Sequence, residues 1–322
     1  MKELVIQKND AGQRLDKFIQ KSVKALPLTL MYKYLRMKRI KVNGKKSEIA
    51  YRLTEGDRVQ LYINDEFFDT SSENAFLHAP SAVDLLYEDE NLLLADKKAG
   101  LVVHEDESGS SDTLINRILH YLYDKGEYDP VKENSFAPAL CNRIDRNTAG
   151  IVIAAKNAEA LRILNEKIKA REIKKYYLCI AHGLFENKSG ELTAFLERDS
   201  DEKRVYIHNK KQPGDLEIKT GYRVVAENKE DTLSLVEIAL VTGRTHQIRA
   251  HLAFVGHPLL GDGKYGSNVQ NARFALKYQA LYSYKTVFDF KTDAGILEYL
   301  KGKSFRAPEV WFVREFFGGT KF

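Results

Sequence analysis

Cysteine is scarce. Cys141 and Cys179 are the only two, and they form no CxxC pair. A disulfide framework and a zinc site of ordinary spacing are therefore not expected, and such sparse usage fits a reducing cytoplasm. Also missing is any run approaching the roughly 18 uncharged apolar residues that a membrane span needs. The N-terminus has Lys2, Glu3, Lys8 and Asp10 where a secretory signal would be apolar. Neither membrane insertion nor export is expected, and no repeat of fixed period suggests a solenoid or propeller.

What remains is a chain of 322 residues, 43% hydrophobic and 11% aromatic, enough for two packed domains. Its net charge of +5 is unevenly placed. Residues 1–63 hold 15 Lys and Arg against 6 Asp and Glu, whereas the remainder holds 35 against 39. A compact basic module on a near-neutral body is the footprint of polyanion binding, since each neutralised phosphate releases condensed counterions. A lysine-rich solvated surface would give the same count.

Within that module Leu15, Phe18, Ile19 and Val23 recur with the spacing of one helix face over residues 11–24. Pro27 and Thr29 break and restart the chain, and Leu30, Tyr34 and Leu35 mark a second helix carrying Lys33, Arg36, Lys38 and Arg39 on and around its outer side. The segment Ile40-Lys41-Val42-Asn43-Gly44-Lys45-Lys46 reads as a hairpin turning at Asn-Gly. A further strand spans residues 58–63. Together with Arg14-Leu15-Asp16-Lys17-Phe18 and Glu55-Gly56-Asp57-Arg58-Val59, these features resemble the RNA-binding module named after ribosomal protein S-four. That resemblance implies that Arg14, Lys33, Arg36, Lys38, Arg39, Lys41 and Lys45 face RNA.

Residues 64–82 read as a linker, polar through Asp65, Glu66, Asp69, Ser71, Ser72, Glu73 and Asn74 to Pro80. Residues 83–322 form the second domain. Short strands are expected at 85–87 and 92–95, and a helix at 113–123 capped by Ser111 or Asp112. Strands at 139–145, 150–155 and 175–182 surround a helix at 157–170; strands then dominate to 241, before a helix at about 246–255 and a strand near 280–290. Such an order predicts an α+β fold on a mixed sheet.

Three segments carry chemistry. In Asn142-Arg143-Ile144-Asp145-Arg146-Asn147-Thr148-Ala149-Gly150 a carboxylate lies between two arginines, an arrangement that favours its charged form and suits either a nucleophile or a structural ion pair. In Lys174-Lys175-Tyr176-Tyr177-Leu178-Cys179-Ile180, strand alternation puts Lys175, Tyr177 and Cys179 on one face. In Thr242-Gly243-Arg244-Thr245-His246-Gln247-Ile248-Arg249-Ala250-His251 and the residues just after it, Ile248, Leu252 and Val255 fall on one helix stripe. Thr245 is the expected N-cap, Gly256 the stop, and Arg249 lies at the stripe's border.

These segments resemble, in order, the His-Arg-Leu-Asp-x-x-Thr-Ser-Gly, Lys-x-Tyr and Thr-Gly-Arg-Thr-His-Gln-Ile-Arg-x-His motifs of the RluA-type pseudouridine synthases. Asn142, Ile144 and Ala149 depart from the first. A fourth segment, Lys98-Ala99-Gly100-Leu101-Val102-Val103-His104, is similar to the family's Lys-Pro-x-Gly-Leu-Val-Val-His, with Lys98 for proline. The resemblance implies a catalytic domain on a mixed, mostly antiparallel sheet with flanking helices. It also implies that Asp145 is the catalytic carboxylate, Arg249 its partner and Tyr177 the ring beside the base.

Arg143, Arg146, Thr148, Lys175, Arg244 and His246 are the RNA contacts expected of this domain, and His104 is a further candidate. His246, His251 and His257 are spread along and beyond one helix without a matching carboxylate, so no metal is expected. Isomerisation of uridine involves no oxidation, hydrolysis or group donor, hence no cofactor. A monomer acting on structured RNA is anticipated, with large-subunit ribosomal RNA ahead of transfer RNA. The competing expectations are a non-catalytic RNA-binding assembly factor, suggested by Asn142 and Ala149, and a metal-dependent nuclease.

Overall fold

The computed structural model describes residues 1–68, 74–105, 109–199 and 201–322. At the N-terminus β1 (Lys2–Val5), α1 (Leu15–Ser22), α2 (Leu28–Arg36), β2 (Ile40–Val42), β3 (Lys45–Lys46) and β4 (Arg58–Leu61) form a four-stranded sheet, ordered β1-β4-β2-β3, with two helices. The apolar stripe expected of α1 is the buried one: Leu15, Phe18 and Ile19 pack with Met31, Leu35, Val59 and Leu61. Asn43 and Gly44 both take positive φ, the backbone that an Asn-Gly hairpin turn requires.

The larger unit follows as β5 (Leu85–Glu88), β6 (Leu92–Lys97), α3 (Leu114–Asp124), β7 (Ala139–Leu140), β8 (Ala149–Ala155), α4 (Ala158–Lys169), β9 (Ile173–His182), β10 (Ser189–Asp199), β11 (Arg204–His208), β12 (Leu216–Asn228), β13 (Leu233–Leu240), α5 (Gln247–Phe254), the one-turn α6 (Asn268–Asn271), β14 (Leu281–Phe288), β15 (Ser304–Arg306) and α7 (Trp311–Phe317). Among the described residues eleven strands join in one sheet, β11-β10-β12-β13-β9-β14-β8-β6-β5, with β15 on β14 and β7 on β8. The β8–β14 pair is parallel and the rest are antiparallel, so the sheet is mixed and the fold α+β.

Strand alternation sorts β9 as the sequence implies. Tyr177 and Cys179 face the layer containing Leu114, Ile118 and Leu122 of α3 and Ile248 and Leu252 of α5. Leu178 and Ile180 face Phe312 and Val313 of α7 on the other side, where Leu164 of α4 packs beside Ile151 and Ile153 of β8.

Four local expectations are corrected. The cap of α3 is Thr113, whose side chain accepts from Asn116 N, rather than Ser111 or Asp112. The strand at 139–145 ends at Leu140, because Asn142 puts its side-chain oxygen on Ile153 N, 2.9 Å away, and the chain turns off the sheet. Val255 is exposed, not part of the buried stripe. In the expected linker, Asp69, Ser71, Ser72 and Glu73 lie outside the described residues, but Phe76 is buried against Tyr123 and Tyr128. Leu77 packs on the same core, and Phe67 and Phe68 pack on that of the N-terminal unit, so scattered apolar residues anchor the stretch at both ends.

The two units touch through polar groups. Buried Asp10 accepts from Ser135 Oγ at 2.6 Å and Asn134 Nδ2 at 2.7 Å, and Asn9 Oδ1 accepts from Ala158 N at the start of α4.

Gly150 sits where β8 meets β14, with φ +110°. A Cβ there would lie 2.3 Å from Ser283 O and 2.7 Å from Ser283 N. Gly150→Ala therefore combines backbone strain with overpacking against a strand that cannot yield, a loss of about 3–5 kcal/mol. Urea unfolding checks this; a change under about 1 kcal/mol would mean that the two strands separate easily.

Candidate active site

Asp145 lies in the loop between β7 and β8. The loop is closed by Thr148 N donating to Asp145 O at 3.1 Å and is pinned inward by buried Ile144 and Thr148. The Thr148 hydroxyl accepts from Gln279 Nε2 at 3.2 Å. Thr148 is thus an internal brace rather than the surface RNA contact expected of it. From beneath, the ammonium of Lys97 donates to the carbonyls of Lys98, Leu101 and Arg146 at 2.8–2.9 Å. Burial lowers its pKa to about 7 while Asp145 opposes the shift. Lys97 thereby ties the 97–101 segment to the loop.

The cation on Asp145 is Arg249, 104 residues away in sequence: Nη1 lies 3.0 Å from Asp145 Oδ2. Arg143 and Arg146, expected to charge-balance Asp145 as its flanking residues, are exposed. Arg249 is buried and makes a second, bidentate contact, Nε and Nη2 to the two oxygens of Asp262 at 2.7 and 3.0 Å. Burial works against its charge, yet the Asp262 bonds and the charges of Asp262 and Asp145 hold its pKa above the usual arginine range. Asp262 is fully buried; desolvation opposes its ionisation, but Arg249 and the N–H groups of Lys264 and Tyr265 keep its pKa low. The fork is what fixes the guanidinium plane.

The helix that delivers Arg249 starts one residue later than a Thr245 cap would allow. His246 is the N-cap, in the left-handed region at φ 53°, and caps nothing with its side chain. Gln247 instead ties the turn before the helix to β12: its Oε1 accepts from Arg244 N at 3.1 Å and Thr242 Oγ1 at 2.9 Å, and its Nε2 donates to Lys219 O at 3.0 Å. Thr220 Oγ1 joins Gln247 Nε2 to His251 Nδ1, each at 3.0 Å. Burial lowers the His251 pKa to about 4 and keeps that ring neutral.

Tyr177 is 5% exposed and pairs with Ser283 across β9 and β14. Burial raises its pKa to about 12, with Asp145 adding to the shift and Ser283 opposing it. The resting phenol is therefore neutral. It cannot begin as a free base, so any proton it takes requires loss of its own at the same moment. Lys175 shares its face and is half-buried, and burial lowers the Lys175 pKa.

Of the remaining expected RNA contacts, Arg143, Arg146, Arg244, Lys33, Arg36, Lys38, Arg39 and Lys45 are exposed, and Lys41 lies over the Tyr62 ring. Arg14 is committed elsewhere, in a bidentate bond to Asp16 with both distances 3.0 Å. His246 Nε2 lies 3.8 Å from Asp145 Oδ2. The three histidines do not converge on a metal: His246 pairs with Tyr265, His251 with Thr220 and His257 with the His182 carbonyl. Glu197, His208 and Asp215 do bring donor atoms within 4.8 Å of one another, but on and just beyond the β10–β11 hairpin, where His208 already pairs with Glu197 at 3.0 Å. A cleft of about 430 Å³ borders the site and is lined by Lys97, Gly100, Arg117, Arg146 and Tyr278.

Asp262 and Lys97 carry little signal in the sequence. The only signals were an aspartate in the Gly-Asp turn after the third motif, and a second lysine before Lys98.

The sequence model of a family described as RNA pseudouridylate synthase matches residues 91–254. An uncharacterised RNA pseudouridine synthase of Mycoplasma genitalium is 32% identical over 89% of this chain and 88% of its own length. The ribosomal large subunit pseudouridine synthase C of Escherichia coli is 29% identical over 83% of this chain and 80% of its own. Among solved structures, human RNA pseudouridylate synthase domain containing 1 shares the fold, with a TM-score of 0.58 at 19% identity over 74% of this chain and 88% of that one.

Proposed function

The chain belongs to the RNA pseudouridylate synthase family and is a pseudouridine synthase, and from that premise we propose that it isomerises uridines of large-subunit ribosomal RNA in the cytoplasm, with Asp145 as the reacting carboxylate. The observation that carries the site assignment is the Asp145–Arg249 contact at 3.0 Å on a loop braced from below, with Tyr177 close enough to feel the carboxylate's charge. The ribosomal substrate is supported by two relatives, of E. coli and of Buchnera aphidicola, each named for the ribosomal large subunit.

The isomerisation breaks the bond from uracil N1 to the sugar C1′, turns the base and joins C5 to C1′; the C5 proton is lost and N1 gains one. Asp145 acts at the sugar, either by attack on C1′ or by removing a neighbouring proton. Arg249 holds it in place, and the Tyr177 ring packs against the flipped base. Extrusion of that base costs about a few kcal/mol, least in loops and bulges. Phosphate contacts by the N-terminal module offset the cost.

Tritium release from RNA labelled at uridine C5 tests the reading. Large-subunit ribosomal RNA is expected to release tritium and transfer RNA is not. Release from transfer RNA alone would overturn the ribosomal assignment, and release from neither would overturn the site assignment with it. For the module, Lys33, Arg36 and Arg39 all changed to Gln should lower the slope of log affinity against log salt by about 2. An unchanged slope would place the phosphate contacts elsewhere.

A further inference from the structure

Two groups address the same oxygen of Asp145. Arg249 Nη1 lies 3.0 Å and His246 Nε2 3.8 Å from Oδ2. The second contact is not incidental, because the His246 ring is held on its other side. Its Nδ1 lies 2.9 Å from the Tyr265 hydroxyl, which also accepts a hydrogen bond from Val205 N of β11 at 3.0 Å. The Val205 amide can only donate, so the phenol proton is free to go to His246 Nδ1. In the opposite arrangement, with the proton on Nδ1, the Tyr265 oxygen would accept twice and its own proton would have no acceptor among the described residues. Among protein partners, counting donors therefore favours the imidazole proton on Nε2, the nitrogen facing Asp145.

Three further features agree with a ring placed for a purpose. His246 holds a left-handed backbone at φ 53°, an unfavourable conformation for a residue with a side chain. Tyr265 is itself fixed, by its N–H on Asp262 Oδ1 at 3.1 Å and by the guanidinium of Arg249 5.3 Å from its ring centre. Burial lowers the His246 pKa, Arg249 and Lys264 reinforce the shift, and Asp145 and Asp262 oppose it, which keeps the ring neutral near pH 7.

We propose that His246 is a positioning residue for Asp145: Tyr265 locks its imidazole as the Nε2–H tautomer, and that N–H together with Arg249 claims Oδ2 and turns Oδ1 toward the uridine. This rests on Asp145 being the reacting carboxylate. The distance of 3.8 Å belongs to the free enzyme, in which bonds of this kind are commonly long and tighten once substrate excludes water. His246 thus acts through the carboxylate, whereas a simple RNA contact would act through affinity.

The two roles separate experimentally. In a long-range proton–nitrogen spectrum of the free protein at pH 7, the His246 resonances, assigned by their loss in His246→Asn, should report Nε2–H. Tyr265→Phe should move population toward Nδ1–H or imidazolium. A proton on Nδ1 in the unaltered protein, or no change in Tyr265→Phe, overturns the lock, and neither result depends on activity.

In single-turnover assays His246→Asn, which suits the left-handed backbone but withdraws the donor, should slow isomerisation by about 10- to 100-fold with RNA affinity unchanged. His246→Gln, which keeps an N–H at similar reach, should recover part of that loss. A normal rate in His246→Asn, or a loss seen wholly in affinity, overturns the positioning role. Normal turnover in Asp145→Asn would instead remove the underlying assignment and leave the tautomer result standing.

Discussion

Arg249→Met should lower folding stability by about 3–5 kcal/mol and turnover by about a thousandfold. The stability loss follows from what the substitution leaves behind. Asp262 is fully enclosed and takes a two-pronged bond from Arg249. Without that cation, a buried carboxylate has only the Lys264 and Tyr265 amides for support. Removing one member of a buried pair costs more than removing both. The double variant Arg249→Met, Asp262→Leu should therefore regain much of the stability but none of the activity, because Asp145 still lacks its partner. Guanidinium unfolding and tritium release measure the two quantities. Activity restored together with stability would show that Arg249 only holds the fold.

The placement of the candidate site's residues was legible where residue type alone limits the choice. Tyr177 alternates with Leu178 along β9, so its face followed from the pattern, and the third motif placed Arg249 on a helix. The Asn-Gly turn at residues 43–44 was equally readable, because few sequences accept two successive positive φ values.

What stayed hidden depends on partners far along the chain. β1 shows no apolar alternation and becomes a strand by pairing with β4, more than fifty residues on. Lys97 contradicts the tendency of lysine to stay exposed, and only the three carbonyls around its ammonium make its burial tolerable. The cap of α3 was ambiguous because Ser111, Asp112 and Thr113 are all good caps, and packing chose the last. Thr245 failed as a cap because His246 takes the left-handed backbone and the helix begins only at Gln247. Asn142, the departure from the family motif beside the site, puts its oxygen on β8, while its Nδ2 is buried with no partner among the described residues.

Asp145→Asn should reduce turnover by about 10⁴-fold or more while leaving fold and RNA affinity nearly intact. The amide has the shape of the carboxylate but can neither attack the sugar carbon nor take a proton from its neighbour, so the result holds for both routes. The fold survives because Arg249 keeps both bonds to Asp262, and the loop keeps its brace from Lys97 and Thr148. Asp145 is also partly exposed, so an uncharged side chain is tolerated there more easily than at Asp262. Affinity should hold or rise slightly, since a negative charge is removed from a surface that already bears Arg143 and Arg146. Tritium release and fluorescence anisotropy at one fixed salt concentration read the two effects. Turnover within tenfold of the unaltered protein would show that another group carries the reaction. A collapse of affinity would instead show that Asp145 holds its loop in shape, the structural ion pair that the sequence left open.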